Sequence, residues 1–235
     1  MEPSVTRRTF VQAMGVGAGT AAGLAPFAAQ GADDSEKTVK IVAVACSPRE
    51  GMTTAQALDY CLEAAKAVDP DRIETELIDL AEMEIPGYMA AGIPLKPGHR
   101  DDFPKVAEKL ADRRVAGIII GSPVYYRNVT ALCKAFIDRC RVLRAEFALS
   151  NKVGGAVAVG GGRNGGQELT LQAIHSALLC QEMLVVGDGR PTAHAGGAVW
   201  NPGTDDISED KIGLATVRNL GRRVAEVALQ RAPAE

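Results

Sequence analysis

The stretch Val39-Lys40-Ile41-Val42-Ala43-Val44-Ala45, followed directly by Cys46-Ser47-Pro48-Arg49-Glu50-Gly51-Met52-Thr53-Thr54, decides how the rest of the chain reads. A run that is nearly all Val, Ile and Ala, bounded by turn residues, predicts a strand buried on both faces of a parallel sheet. Residues 54–68 then show helical periodicity. A strand, a hydroxyl-rich loop and a helix N-terminus in that order make an anion site. Backbone N–H groups, the positive end of the helix dipole and the Ser and Thr hydroxyls all point at one place. Arg49 adds a charge that persists at any working pH. The plainer reading is a Ser-Pro turn that caps a helix. The coincidence of strand, Arg49, Thr53 and Thr54 favours a phosphate.

Working outward, apolar runs and amphipathic segments alternate to the end of the chain. Strands are expected at 39–45, 73–80, 116–120, 153–159 and 183–186, and helices at 54–68, 101–113, 128–143, 166–180 and 209–231. Five strands alternating with helices predict an α/β fold, a doubly wound parallel sheet with helices on both faces and right-handed crossovers. Residues 81–100 and 187–208 read as irregular and are long enough to be functional.

In such a sheet, ligands bind at the carboxyl ends of the strands. Two further loops join the first there. Gly121-Ser122-Pro123-Val124-Tyr125-Tyr126-Arg127-Asn128 places two aromatics after a buried strand, although aromatic residues make up only 4% of the chain. Such side chains can wall a flat ring, or merely cover the sheet end. Asn128 also suits an N-cap. Gly160-Gly161-Gly162-Arg163-Asn164-Gly165-Gly166 leaves backbone N–H groups open and lets a ligand approach closely. It follows the fourth strand and does not read as a dinucleotide fingerprint. The three loops together describe a planar, phosphorylated ligand.

The 235 residues suit one domain with a complete core, and a net charge of −3 gives no reason to expect nucleic acid. Residues 1–31 read as a twin-arginine signal, with Arg7-Arg8-Thr9-Phe10 ahead of an uncharged Gly/Ala-rich stretch. Residues 32–38 form a short linker and 39–235 the folded domain. Cleavage is favoured over a retained anchor, because so many glycines and alanines make a poor spanning helix. It removes Glu2, Arg7 and Arg8 and moves the charge to −4. The expected location is therefore periplasmic or otherwise exported, with no stable membrane insertion. Cys46, Cys61, Cys133, Cys140 and Cys180 include no CxxC pair, which argues against a zinc site. Cys46 reads as a small buried hydrophobe. His99, His175 and His194 lack metal-like spacing, and no metal site is expected.

Ser47-Pro48-Arg49, Thr53-Thr54, Gly121–Tyr126, Lys134–Arg139 and Gly161–Glu168 together resemble the NADPH-dependent FMN reductase family. Within it the chain is most similar to the iron–sulfur flavoprotein-like branch. The resemblance implies a flavodoxin-like sheet of order 2-1-3-4-5 with non-covalent FMN. It implies that Ser47, Arg49, Thr53 and Thr54 hold the phosphate. Pro123, Val124, Tyr125, Tyr126 and Asn128 would line the ring and ribityl chain, and Gly161, Gly162 and Arg163 the far ring edge. It also implies a homodimer or homotetramer. The cluster-bearing segment of that branch would fall near 85–100, where this chain has no cysteine, so no cluster is expected.

The expectation is thus an exported FMN-dependent oxidoreductase of the NAD(P)H:acceptor type, with chemistry borne by the flavin rather than by a catalytic side chain. It would pass electrons from a small-molecule or protein donor to a quinone, a metal or an electrophilic organic. Export points to a donor other than NADPH. The alternatives are a non-enzymatic carrier between redox proteins, and a scaffold that has lost its flavin.

Overall fold

A computed structural model describes residues 38–231. The signal segment and residues 32–37 of the linker lie outside them. The chain runs β1 (Val39–Ala45), α1 (Thr53–Lys66), β2 (Ile73–Asp79), a 3-10 turn (Gly87–Ala91), α2 (Phe103–Ala111), β3 (Val115–Pro123), α3 (Ala131–Arg139), α4 (Arg141–Ala145), β4 (Val153–Gly160), α5 (Gln167–Cys180), β5 (Leu184–Val185), β6 (Gly197–Trp200) and α6 (Lys211–Arg231). The sheet order is β2-β1-β3-β4-β5, all parallel, with β6 also paired to β4. The flavodoxin-like order is therefore present.

The period-2 alternation of β1 explains the two layers. Ile41, Ala43 and Ala45 face a core shared with α1 and α6, while Val42 and Val44 face one shared with α2, α3 and α5. In α1, Ala57, Leu58, Cys61, Leu62 and Ala65 recur at helical spacing and are buried. The crossing of α1 and α6 needs Gly221, because a Cβ there would sit 1.9 Å from the Cys61 carbonyl oxygen.

The structure departs from the sequence expectations in two places. The expected fifth strand over 183–186 is only Leu184–Val185, paired with the start of β4. The chain then loops out over 186–196 and returns as β6, which pairs with Val157–Gly160 at the other end of β4. The fifth strand position is split, and part of the expected irregular segment is sheet. The expected helix over 128–143 begins later. Thr130, not Asn128, is its N-cap, with Oγ1 accepting the Cys133 N–H at 3.0 Å and donating to the Cys46 carbonyl at 2.7 Å. This bond ties the end of β1 to the start of α3. Among the described residues, no helix is long and apolar enough to cross a membrane.

Candidate functional site

At the carboxyl ends of β1, β3 and β4 lies a concave cleft, the usual setting of small-molecule sites. Ser47, Arg49, Thr53 and Thr54 line one end. Pro123, Val124 and Tyr125 form one side, and Gly161 lies at the other. Residues over 110 positions apart in sequence meet here because β1, β3 and β4 are neighbours in the sheet. The sheet also contributes Val159 and Gly160, and Asn201 follows β6 into the cleft. Sequence reasoning placed Gly160 in the ligand-facing glycine loop but did not single out Val159 or Asn201.

The first loop is preorganised. The Arg49 N–H donates to Ser47 Oγ at 3.0 Å, and Ser47 Oγ donates back to the Arg49 carbonyl at 3.1 Å. The Gly51 N–H donates to Asp79 Oδ2 at 3.0 Å, anchoring the loop to the end of β2. The helix that follows is open: Met52 at its N-cap supplies no side-chain bond, so no side chain caps the first N–H groups of α1. Thr53 and Thr54 are buried. No hydrogen bond of either hydroxyl is found among the described residues. Free helix N–H groups, two hydroxyls without protein partners and an arginine at the rim are the donor set an anionic phosphate needs.

Arg49 is not a free cation. Its Nη1 and Nη2 each donate to Asp205 at 2.9 Å, and Asn201 Nδ2 donates to the same carboxylate at 3.2 Å. The Arg49 bond, then the Asn201 bond, hold the Asp205 carboxyl below its usual range, and the pair raises Arg49 in turn. Asp205 was not anticipated, since it lies 156 residues from its partner.

The second loop is a tight hairpin. Tyr125 and Asn128 exchange backbone hydrogen bonds of 2.9 and 3.1 Å, and Tyr126 and Arg127 take φ of 50° and 63°. Two successive residues with positive φ make a type I′ turn. Its consequence for the expected aromatic wall is direct. Tyr125 lines the cleft, half-exposed, whereas Tyr126 stands at the tip, 104% exposed, and does not. Asn128 also stays outside the cleft lining, and its Oδ1 accepts the Val129 N–H at 2.8 Å.

In the third loop, Gly161 lines the cleft, while Gly162 and Arg163 lie beyond its lining. Arg163 stacks on Trp200, its guanidinium carbon 4.3 Å from the ring centroid. Trp200 Nε1 donates to the Gly161 carbonyl at 3.2 Å, and Gln167 Nε2 donates to that of Gly162 at 2.9 Å. Trp200 thereby pins the glycine loop to β6. Gly166, at φ 114°, brings this loop against the second, since a Cβ there would lie 2.7 Å from the Arg127 Cα.

The Cys46 thiol is fully buried below the first loop. Burial, followed by the neighbouring Cys133, pushes it well above its ordinary range, so it is no nucleophile at neutral pH. Among the described residues, no group of three or more His, Cys, Asp or Glu is placed to hold a metal.

The sequence pattern described as NADPH-dependent FMN reductase matches residues 39–197. The chain belongs to the NADPH-dependent FMN reductase family. As a member of this family it is an FMN-dependent oxidoreductase with a flavodoxin-like fold. It is 45% identical over 193 residues to an iron-sulfur flavoprotein of Methanocaldococcus jannaschii, covering 80% of this chain and 97% of that one. It is 34% identical over 169 residues to an NAD(P)H dehydrogenase (quinone) of Paracoccus denitrificans, covering 65% and 76%. The fold also matches that of a WrbA-like flavodoxin from Agrobacterium tumefaciens, with a TM-score of 0.59 at 20% identity over 82% of this chain and 99% of that one. In this FMN reductase family member, the donors at the first loop fit a phosphate, and Tyr125 and Gly161 line the same cleft.

Proposed function

We propose that this chain binds FMN in the cleft at the strand ends and uses it to pass electrons from a donor to a small acceptor. The observation that carries the reading is the uncapped start of α1 beside the unpartnered Thr53 and Thr54 hydroxyls. Those groups bind the phosphate, with Ser47 and Arg49 at its rim. Tyr125 packs against the ring on one side, and the open backbone around Gly161 offers N–H donors to the ring's carbonyl edge. When bound, FMN supplies the two-electron chemistry. The protein's part is orientation: the hairpin at Tyr125–Asn128 fixes one wall, Trp200 and Gln167 hold the other, and Val159 and Gly160 close the floor.

A quinone is the favoured acceptor class, supported by the likeness to NAD(P)H dehydrogenase (quinone) and by the half-exposed Tyr125 edge, against which a second flat ring can stack. Arg7-Arg8 and the Gly/Ala-rich stretch that follows support export, and export supports a donor other than NADPH. The fully exposed Tyr126 beside the cleft supports a homo-oligomer in which a second copy covers it. No cysteine lies in residues 81–132, which supports electron transfer without a cluster, unlike relatives named iron-sulfur flavoproteins.

The test is to load the protein with FMN and follow quinone reduction anaerobically with NADH, NADPH and reduced flavin as donors, alongside iron and sulfide analysis. Turnover with FMN and no stoichiometric iron or sulfide supports the reading. A protein that keeps FMN yet reduces no small acceptor points to an electron carrier.

A further inference from the structure

A second cleft lies apart from the first and shares no lining residue with it. It is open to solvent and is lined by Asp188, Gly189, Arg190, Arg222, Arg223 and Glu226. Val224, between these arginines and Glu226 on α6, packs beside Gly117 near the start of β3, whereas the first cleft sits at the strand ends. In a chain of net charge −3, three guanidinium groups gathered around one cleft call for a physical account.

The cleft is built by a hydrogen-bonded relay. The carboxylate of Asp188 is completely buried and accepts from the Thr192 hydroxyl and the His194 N–H. Thr192 Oγ1 accepts from Asn219 Nδ2 at 2.7 Å, and Asn219 Oδ1 accepts from Arg222 Nη2 at 2.8 Å. The same Arg222 nitrogen donates to the Arg190 carbonyl. Loop 186–196, which interrupts the fifth strand position, is thus clamped on α6 with Arg222 held in one orientation. The relay uses the Arg190 backbone and leaves its side chain alone.

The charges at the mouth are only partly committed within the protein. Glu226 faces Arg222 at 3.7 Å and Arg223 at 3.6 Å, too far for hydrogen bonds. Among the described residues, the Arg190 guanidinium has no hydrogen-bond or ion-pair partner. The Asp188 oxygens are committed inside the relay. The cleft therefore carries one unpartnered guanidinium, Arg190, and two, Arg222 and Arg223, whose contacts leave donors spare, beside one surface carboxylate. That is the donor set for clustered anionic oxygens.

We propose that this cleft is a second ligand site, for a small molecule carrying several anionic oxygens, and that it is separate from the flavin site. Arg190 supplies a free fork, Arg223 one shared only with Glu226, and Arg222, fixed by the relay, an oriented one. The shared chemistry is clustered phosphoryl or carboxyl oxygen.

The experiment uses the FMN-saturated full chain, so that the phosphate end of the first cleft is occupied, and titrates pyrophosphate and, separately, citrate by calorimetry at low ionic strength. At least one of the two should bind with a Kd of about 1 mM or tighter. An Arg190→Gln, Arg223→Gln variant keeps the relay and should weaken that binding roughly tenfold or more, leaving melting temperature and flavin absorbance unchanged. Pyrophosphate alone would identify a phosphoryl ligand, and citrate alone a carboxylate one. Binding of neither up to about 10 mM, equal binding by the variant, or flavin release on titration would overturn the proposal.

Discussion

Arg49 in the first loop and Asp205 after β6 form a two-pronged ion pair, each prong 2.9 Å long, at the end of the cleft lined by Ser47, Thr53 and Thr54. Both side chains are substantially exposed, so as a source of fold stability the pair is worth little. Its consequence is for the ligand. A carboxylate already occupies both terminal nitrogens of the one arginine at the rim, and its charge opposes an incoming dianion. Asp205→Asn keeps the shape and one acceptor but removes that charge. FMN affinity should rise about fivefold at low ionic strength, with the gain shrinking as salt is added. Fluorescence titration of FMN at two salt concentrations measures it.

Thr54 offers a cleaner separation of binding from stability. Its hydroxyl makes no hydrogen bond among the described residues, yet the side chain is buried at the cleft end. Thr54→Val should therefore leave thermal stability nearly unchanged and cost FMN about 1–2 kcal/mol of affinity. Combined with Arg49→Ala the loss should reach about 2–4 kcal/mol. A Thr54→Val protein with lowered stability and intact FMN affinity would place the hydroxyl in the fold rather than the site.

Gly166 holds the second and third loops together through a backbone conformation and a contact that a side chain cannot share. At φ 114°, with any Cβ 2.7 Å from the Arg127 Cα, Gly166→Ala must displace backbone. Denaturant unfolding should show a loss of about 2–4 kcal/mol, and flavin affinity should fall with it, since the two walls separate.

The segment 81–102 is secured by charge rather than by a strand or a long helix. Asp102 accepts from Arg100 Nε at 2.6 Å and from the Glu84 N–H at 3.1 Å. These bonds, the arginine's first, lower its carboxyl to about 2. The folded value lies below the ordinary one near 3.8, so the unfolded chain binds the proton more tightly. The stabilisation is complete above about pH 4 and is lost as the pH falls towards about 2. Asp102→Asn should cost about 1 kcal/mol at neutral pH, after allowance for solvent screening at this partly exposed pair, and much less at pH 2. Urea unfolding at pH 7, 4 and 2 checks the sign.

Much of the architecture was legible because the decisive strands are apolar on both faces: Ile41, Val42, Ala43 and Val44 belong to a parallel sheet whatever else surrounds them. The first-loop end of the cleft was legible because Ser47, Arg49, Thr53 and Thr54 are local to one strand–loop–helix unit. The split fifth strand was not, because Leu184–Val185 and Gly197–Trp200 are too short for alternation to register, and both depend on pairing with β4. The place of Tyr126 was not legible, because composition cannot show the type I′ turn that sets it at the tip. Asn201 and Asp205 reach the cleft only through the return of the chain as β6. The single Trp in a Gly-rich segment was the one signal available there, and it marks the residue that pins the third loop.

The account stands on the start of α1 being a phosphate site within a flavin cleft, and comparing FMN with riboflavin tests this most directly. Titrating flavin-free protein with each, by quenching of flavin fluorescence, should show one equivalent of FMN bound and riboflavin at least about 30-fold weaker, the scale of the charge-assisted bonds that riboflavin cannot make. Equal affinities, or saturable binding of neither, would contradict it.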